Sequence, residues 1–187
     1  MAPSFHIVYE AEYAYVWNTL RRLGIPRTDL KDLAQDVFLI VYRRFAELDP
    51  ARPVRPWLFG VAYRVVSNRR RREAGRPGTA GEFPVESLAC PAPGPEQAAS
   101  AAEDRALVAQ ALDALDLDKR AVFVMHDLDG SGMPEIAREL AIPLNTAYSR
   151  LRLARQCFAQ AVLDARSAPA VGAPASPRSE PSQGKRP

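Results

Sequence analysis

Apolar residues recur at helical spacing through the first third of the chain. Tyr13, Val16, Leu20 and Leu23 share one face and predict a helix that Gly24-Ile25-Pro26 stops. Thr28 is placed to cap a second helix, with Asp29 and Asp32 in its first turn, where the helix dipole favours negative charge. Leu30, Leu33, Val37 and Val41 make its buried stripe. The loop "LDPARPVRP" leads to a third helix near Trp57, striped by Leu58, Val61 and Val65 and ending in "SNRRRRE". Nowhere does the period-two alternation of a strand appear.

From Glu73 to about Glu96 the period lapses into Gly, Pro, Ala and acidic residues, which reads as a flexible linker. Helical spacing returns with Leu107, Ala111, Leu112 and Leu115. A further helix is expected over Arg120 to Leu128, with Val122, Phe123 and Met125, and "MPEIARELA" and "NTAYSRLRLARQCFAQAV" supply two more. The last segment, "SAPAVGAPASPRSEPSQGKRP", is low in complexity and is expected to be disordered. The predicted fold class is therefore all-α. A helical domain at 5–72 and a second at 98–166 are joined by a linker at 73–97, with a tail at 167–187.

Composition narrows the class. The 17 prolines among 187 residues agree with an unpacked linker and tail, and the two cysteines, Cys90 and Cys157, have neither metal-ligand spacing nor a second pair. "FHIVY" before Glu10 is too short for a signal-peptide core, and no run is long enough for a bilayer span, so a cytoplasmic protein without membrane insertion is expected. Charge is uneven: residues 1–72 carry 13 basic against 7 acidic side chains, whereas 73–104 carry 1 against 6. A basic first domain beside an acidic connector suggests a polyanionic partner.

The two helices predicted at 133–140 and 145–161 flank the brief "AIPL", the pattern of a helix-turn-helix. At about 100° per residue, Ala147, Leu151, Ala154 and Phe158 turn inward. Asn145, Tyr148, Ser149, Arg152, Arg155 and Gln156 fall on the opposite face, and Asn145 is a suitable N-cap. Hydrogen-bonding side chains near the start of such a helix reach base edges, and arginines alongside reach phosphates. On spacing alone, a solvated face of an ordinary helical hairpin fits as well. "DLDGSGMPE" imitates the first half of a calcium loop through Asp127, Asp129, Ser131 and Gly132. Its twelfth position is Arg138 rather than a bidentate Glu and Pro134 interrupts it, so a turn is expected. Asp29, Asp32, Gln35 and Asp36 line the polar side of the second helix. Three readings fit them: a solvated face, a docking surface for a basic partner, or metal-dependent nuclease chemistry, for which no further ligand is evident. The run Arg69 to Arg72, with Arg64, makes a phosphate-attracting patch. Trp57 by itself fits the core better than a stacking platform, and His6 and His126 have no partners at useful spacing.

Two stretches in this order resemble one family. "DLKDLAQDVFLIVYRRFAELDPARPVRPWLFGVAYRVVSNRRRRE" is similar to region two of the extracytoplasmic-function group of bacterial sigma factors. "LDALDLDKRAVFVMHDLDGSGMPEIARELAIPLNTAYSRLRLARQ" is similar to their region four. The resemblance implies a promoter-specificity subunit with no catalytic residues, metal or cofactor of its own. Its partners are core RNA polymerase through the largest subunits, double-stranded promoter DNA, and the melted minus-ten strand. An anti-sigma factor commonly holds members of this family. Carried onto this chain, the resemblance assigns polymerase docking to Asp32, Gln35 and Asp36. It assigns the minus-ten element to Asp49, Arg52, Arg55, Trp57, Arg64, Asn68 and Arg69. The minus-thirty-five element falls to Asn145, Thr146, Tyr148, Ser149, Arg150, Arg152 and Arg155. The chain departs from the family's Gly-Thr-Val-basic-Ser-Arg with Asn145-Thr146-Ala147-Tyr148-Ser149-Arg150, and Ser131-Gly132 replaces the usual Leu-Ser, which moves the expected cap to Ser131.

Overall fold

The computed structural model describes residues 4–74 and 95–167, with side chains in the second segment from Glu103 onward. Most of the predicted linker and nearly all of the predicted tail lie outside the described residues, as does Cys90. Seven α-helices are present, and no strand occurs among the described residues. They are α1 (Phe5–Arg22), α2 (Leu30–Arg43), α3 (Val54–Ala74), α4 (Pro95–Asp113), α5 (Leu117–Phe123), α6 (Met133–Glu139) and α7 (Leu144–Ser167). No helix among them is long and apolar enough to cross a membrane.

Helices α1, α2 and α3 pack around Val16, Leu20, Leu30, Val37, Val41 and Leu58, all with essentially no exposed surface. The α1–α2 corner is a Schellman turn. Gly24 adopts φ 84°, the Gly24 amide donates to the Arg21 carbonyl at 2.9 Å, and the Ile25 amide donates to Leu20 at 3.1 Å. Gly24-Ile25-Pro26 thus stops α1 where the sequence indicates. The cap of α2 differs from expectation: Asp29 occupies the N-cap position without a side-chain bond to the helix, and the Thr28 hydroxyl donates to the Asp29 carboxylate at 2.8 Å. The helix begins one residue later than a Thr28 cap requires, which leaves Thr28 just outside the cap position. In α3 the stripe is wider than predicted. Phe59, Gly60, Ala62 and Val66 join Leu58 and Val61 in the interior, while Val65 is only half-buried. The cause is that α3 touches α1 and α2 on one side and α6 on the other.

In the second half, Asp116 caps α5 by accepting from the Lys119 amide at 2.9 Å, so this helix starts three residues before the expected Arg120. Its continuation, Val124–Leu128, widens into a π-helical turn closed by the Asp129 amide on the Val124 carbonyl at 2.9 Å. The cap of α6 is Gly132, not Ser131, and Pro134 sits harmlessly in the first turn, where no intrahelical donor is needed. Helix α7 begins at Leu144, which places Asn145 inside the first turn rather than at the cap; the Ala147 amide already bonds the Pro143 carbonyl at 3.0 Å.

Candidate nucleic-acid interface

The helix-turn-helix is assembled by packing on one side and a strained corner on the other. Ile136 and Ala137 of α6 and Leu140 at its C-cap are buried, as are Ala147, Leu151 and Ala154 of α7. Phe158 stacks on Phe123 with ring centroids 4.6 Å apart. The connecting turn repeats the Schellman pattern without glycine: Ala141 takes φ 54°, and the Ile142 amide reaches the Ala137 carbonyl at 2.9 Å. This leaves Asn145, Tyr148, Ser149, Arg152, Arg155 and Gln156 exposed along one side of α7, with Thr146 half-buried. The Ser149 hydroxyl donates back to the Asn145 carbonyl at 2.9 Å, so its oxygen remains available as an acceptor. Arg155 is tied to Asp127 at 2.6 Å, and that guanidinium holds the Asp127 carboxyl below its usual range. Arg150 turns away from the others: its Nη2 meets the Asp118 carboxylate at 2.5 Å. Arg152 has no polar partner among the described residues.

The residues assigned to the minus-ten element divide by environment. Asp49 accepts from the Ala51 amide at 3.0 Å and pairs with Arg52 at 3.1 Å, closing the loop before α3. Arg55 pairs with Glu12 at 2.8 Å and lies over the Tyr15 ring, 5.1 Å from its centroid. Trp57 is half-buried against the core. Arg69 bridges Glu73 at 2.6 Å and Asp29, whose carboxyl is held low first by the Thr28 hydroxyl and then by Arg69. Asn68 is exposed and accepts from Arg71 at 2.5 Å. Arg64 crosses to the other half, where its Nη2 donates to the Glu139 carbonyl at 2.9 Å.

The residues assigned to polymerase docking contrast with these. Asp32, Gln35 and Asp36 all stand exposed on α2 and have no polar partner among the described residues. The same face continues into a shallow aromatic groove between α1 and α2, lined by Phe5, Tyr9, Gln35, Phe38, Leu39 and Tyr42 among others. Leu39 and Tyr42 are 46% and 63% exposed, on the polar side of an otherwise amphipathic helix. That misplacement of apolar residues is the sequence signal that could have extended the site. Among the described residues, no cluster of three or more His, Cys, Asp or Glu is arranged to hold a metal.

Sequence reasoning missed the seam where the two halves meet. Asp129, presented by the π-helical turn, accepts from the Tyr15 hydroxyl at 2.8 Å and from Arg22 at 2.7 Å. Burial, then the Asp129 charge, push the Tyr15 phenol far above its normal range. Asp118 accepts from the Tyr63 hydroxyl at 2.6 Å as well as from Arg150. Beside it opens a cleft of 680 Å³ walled by Arg64, Arg70, Arg71, Lys119 and Arg150, among others. Gly60 is pressed to the α6 backbone so closely that a Cβ there would stand 2.9 Å from the Glu139 carbonyl oxygen. Arg120, 4% exposed, reaches Gly24 across the seam and pairs with Asp113 at 3.1 Å.

Comparison with known proteins adds to this geometry. Residues 8–76 match the family Sigma-70 region 2, and residues 105–158 match Sigma-70, region 4. The chain is 33% identical over 153 residues to the RNA polymerase sigma factor CnrH of Cupriavidus metallidurans, covering 79% of this chain and 80% of that one. It is 30% identical over 154 residues to the ECF RNA polymerase sigma factor SigL of Mycobacterium tuberculosis, covering 82% and 85%. Among solved structures, the sigma factor RpoE of Bartonella quintana, in complex with the anti-sigma factor NepR, aligns with a TM-score of 0.67. That alignment has 18% identity over 85% of this chain and 96% of that one. CnrH in complex with the cytosolic domain of CnrY aligns with a TM-score of 0.56 and 27% identity, covering 87% and 89%.

Proposed function

The chain belongs to the sigma-70 family, in its extracytoplasmic-function group of RNA polymerase sigma factors, and from that premise we propose how its surfaces divide the work. Asp32, Gln35 and Asp36 dock on core polymerase through its largest subunits. The loop before α3 and the α3 side chains Arg64, Asn68 and Arg69, with Asp49, Arg52, Arg55 and Trp57 around them, engage the minus-ten element and its melted strand. Asn145, Thr146, Tyr148, Ser149 and Arg152 read the minus-thirty-five element in the major groove, with Arg150 and Arg155 on flanking phosphates. The protein acts in the cytoplasm, performs no catalysis of its own and needs no cofactor.

The observation that carries this reading is the unpartnered acidic face of α2. A helix-turn-helix regulator acting without polymerase has no use for carboxylates that repel DNA, whereas a protein that must dock on a basic partner does. The anti-sigma complexes of the two structural neighbours support a protein inhibitor as a further partner. The test is in vitro transcription with core polymerase and genomic template: start sites should appear only when the chain is added, and share paired upstream elements. Binding of duplex DNA without any directed initiation would favour the free-standing regulator instead.

A further inference from the structure

We propose that Asp127 is a built-in counter-ion that withholds Arg155 from DNA, so that α7 binds duplex weakly until polymerase fixes the chain over a promoter. This rests on the reading of Arg155 as a phosphate contact.

The two side chains meet fork to fork. Arg155 Nε donates to Asp127 Oδ2 at 2.9 Å, and Arg155 Nη2 donates to Oδ1 at 2.6 Å. A carboxylate presents a guanidinium with the same paired anionic acceptors as a phosphate, so the engaged edge cannot serve both. Charge is cancelled as well. Affinity for duplex grows with the number of phosphates neutralised, and a guanidinium already paired with a carboxylate adds little to that number. In the exposed row of Asn145, Tyr148, Ser149, Arg152, Arg155 and Gln156, only Arg152 and Arg155 are cationic. Arg152 has no polar partner among the described residues, so the pair leaves this row one uncompensated charge rather than two.

The framework holds the pair in place. Exposed ion pairs are ordinarily worth little, but the Asp127 side chain is only 21% exposed, against 53% for Arg155. It projects from the π-helical turn, in which Val124 and Met125 are fully buried. Phe123, just before that turn, stacks on Phe158 of α7. A fixed element thus delivers the carboxylate to α7, and Arg155, then His126, keep it ionised below the usual carboxylate range.

The pair is also reversible. His126 Nδ1 lies 2.7 Å from the same Oδ1, so the carboxylate keeps a partner when the arginine swings to a phosphate. Fixing both halves of the chain on polymerase raises their effective concentration at paired promoter elements, which offsets the cost of the exchange.

The test uses the full chain without polymerase, in fluorescence anisotropy across a salt series. One duplex carries a start site that the chain directs, and a second is unrelated. Asp127→Asn frees one arginine for one phosphate. It should bind both duplexes about fivefold more tightly at about 0.15 M salt, and log K should fall about 0.9 more steeply with log salt. Asp127→Glu, which keeps the charge, should bind as the natural chain does. Adding Arg155→Ala to Asp127→Asn should abolish the gain. Unchanged affinity and slope in Asp127→Asn, an equal gain in Asp127→Glu, or a gain that survives Arg155→Ala each overturn the counter-ion. Should Asp127→Asn lose native helicity, Asp127→Ser takes its place with the same outcomes. The two readings fail separately. If Asp127→Asn gains nothing and adding Arg155→Ala loses nothing, Arg155 does not contact DNA. If Asp127→Asn gains nothing yet adding Arg155→Ala weakens both duplexes, Arg155 contacts phosphate from within its pair and the counter-ion alone fails.

Discussion

The acidic face of α2 and the basic faces of α3 and α7 are opposite in sign and also in state. Asp32, Gln35 and Asp36 stand in solvent with no polar partner among the described residues, although α2 is otherwise built like any amphipathic core helix. Arg64, Arg69, Arg150 and Arg155, by contrast, are each engaged by groups of the chain itself. Exposed carboxylates on a rigid helix cost little to leave free, because water solvates them. Arg64 donates to a carbonyl across the two halves, whereas Arg69, Arg150 and Arg155 are each held by a carboxylate of their own half. A surface free in the folded chain is ready for a partner at once, whereas an engaged one is available only after a rearrangement. Among the arginines of α7's first three turns, only Arg152 has no polar partner among the described residues, which leaves its guanidinium the most available to a ligand.

Breaking the free side of this comparison should have the largest effect. Asp32→Ala with Asp36→Ala is expected to weaken core-polymerase binding about tenfold to a hundredfold, the range for central charged contacts. Fluorescence anisotropy with labelled chain measures it, and intact binding would remove the docking assignment. On the engaged side, Gly60→Val forces a branched side chain into the Glu139 backbone. It should lower the chain's unfolding free energy by about 1–3 kcal/mol, as read by urea titration; no loss would mean α3 and α6 are not in lasting contact. Arg152→Ala should cost about 1–3 kcal/mol at the minus-thirty-five element if it makes a bidentate base contact. An equal loss on every DNA sequence would instead assign it to phosphate.

Two smaller effects sharpen the local picture. Ala141→Gly relieves the positive φ at the helix-turn-helix corner and should stabilise the chain by about 1 kcal/mol, visible as a higher Tm without altered DNA preference. The Asp127–Arg155 pair carries the smallest effect and a pH signature. Arg155 depresses the Asp127 carboxyl, so the folded chain binds that proton more weakly than the unfolded one. The contribution is present above the ordinary carboxylate pKa of about 4 and is lost as pH falls through the depressed value. The Tm difference between the natural chain and Asp127→Asn should therefore shrink on acidification toward pH 3; a constant gap would show that the pair is not formed in solution.

Helix identity, the inward residues of α2 and α7, and the stop at Gly24 were legible from the sequence, because they follow from local spacing and from a glycine's access to positive φ. Caps were less legible: Thr28, Ser131 and Asn145 were each expected to cap a helix, and none does. A cap position is set by where the helical backbone begins, and the helices begin after Asp29, Gly132 and Pro143, of which Asp29 and Gly132 make no side-chain cap bond and Pro143 has no side-chain acceptor. The exposed row on α7 followed from a 100° rotation per residue, yet the fate of each arginine on it did not.

What the sequence by itself determined is the all-α character, the helix-turn-helix and the two family stretches, each a property of residues a few positions apart. What only the tertiary structure decided is the seam. Asp118 and Asp129 are ordinary acidic residues in their own segments, and Tyr15 and Tyr63 are ordinary aromatics in theirs. Their pairing spans 114 and 55 residues along the chain. No local periodicity encodes a contact of that reach; it arises when α3 is buried on two sides at once, and packing then chooses which charges meet.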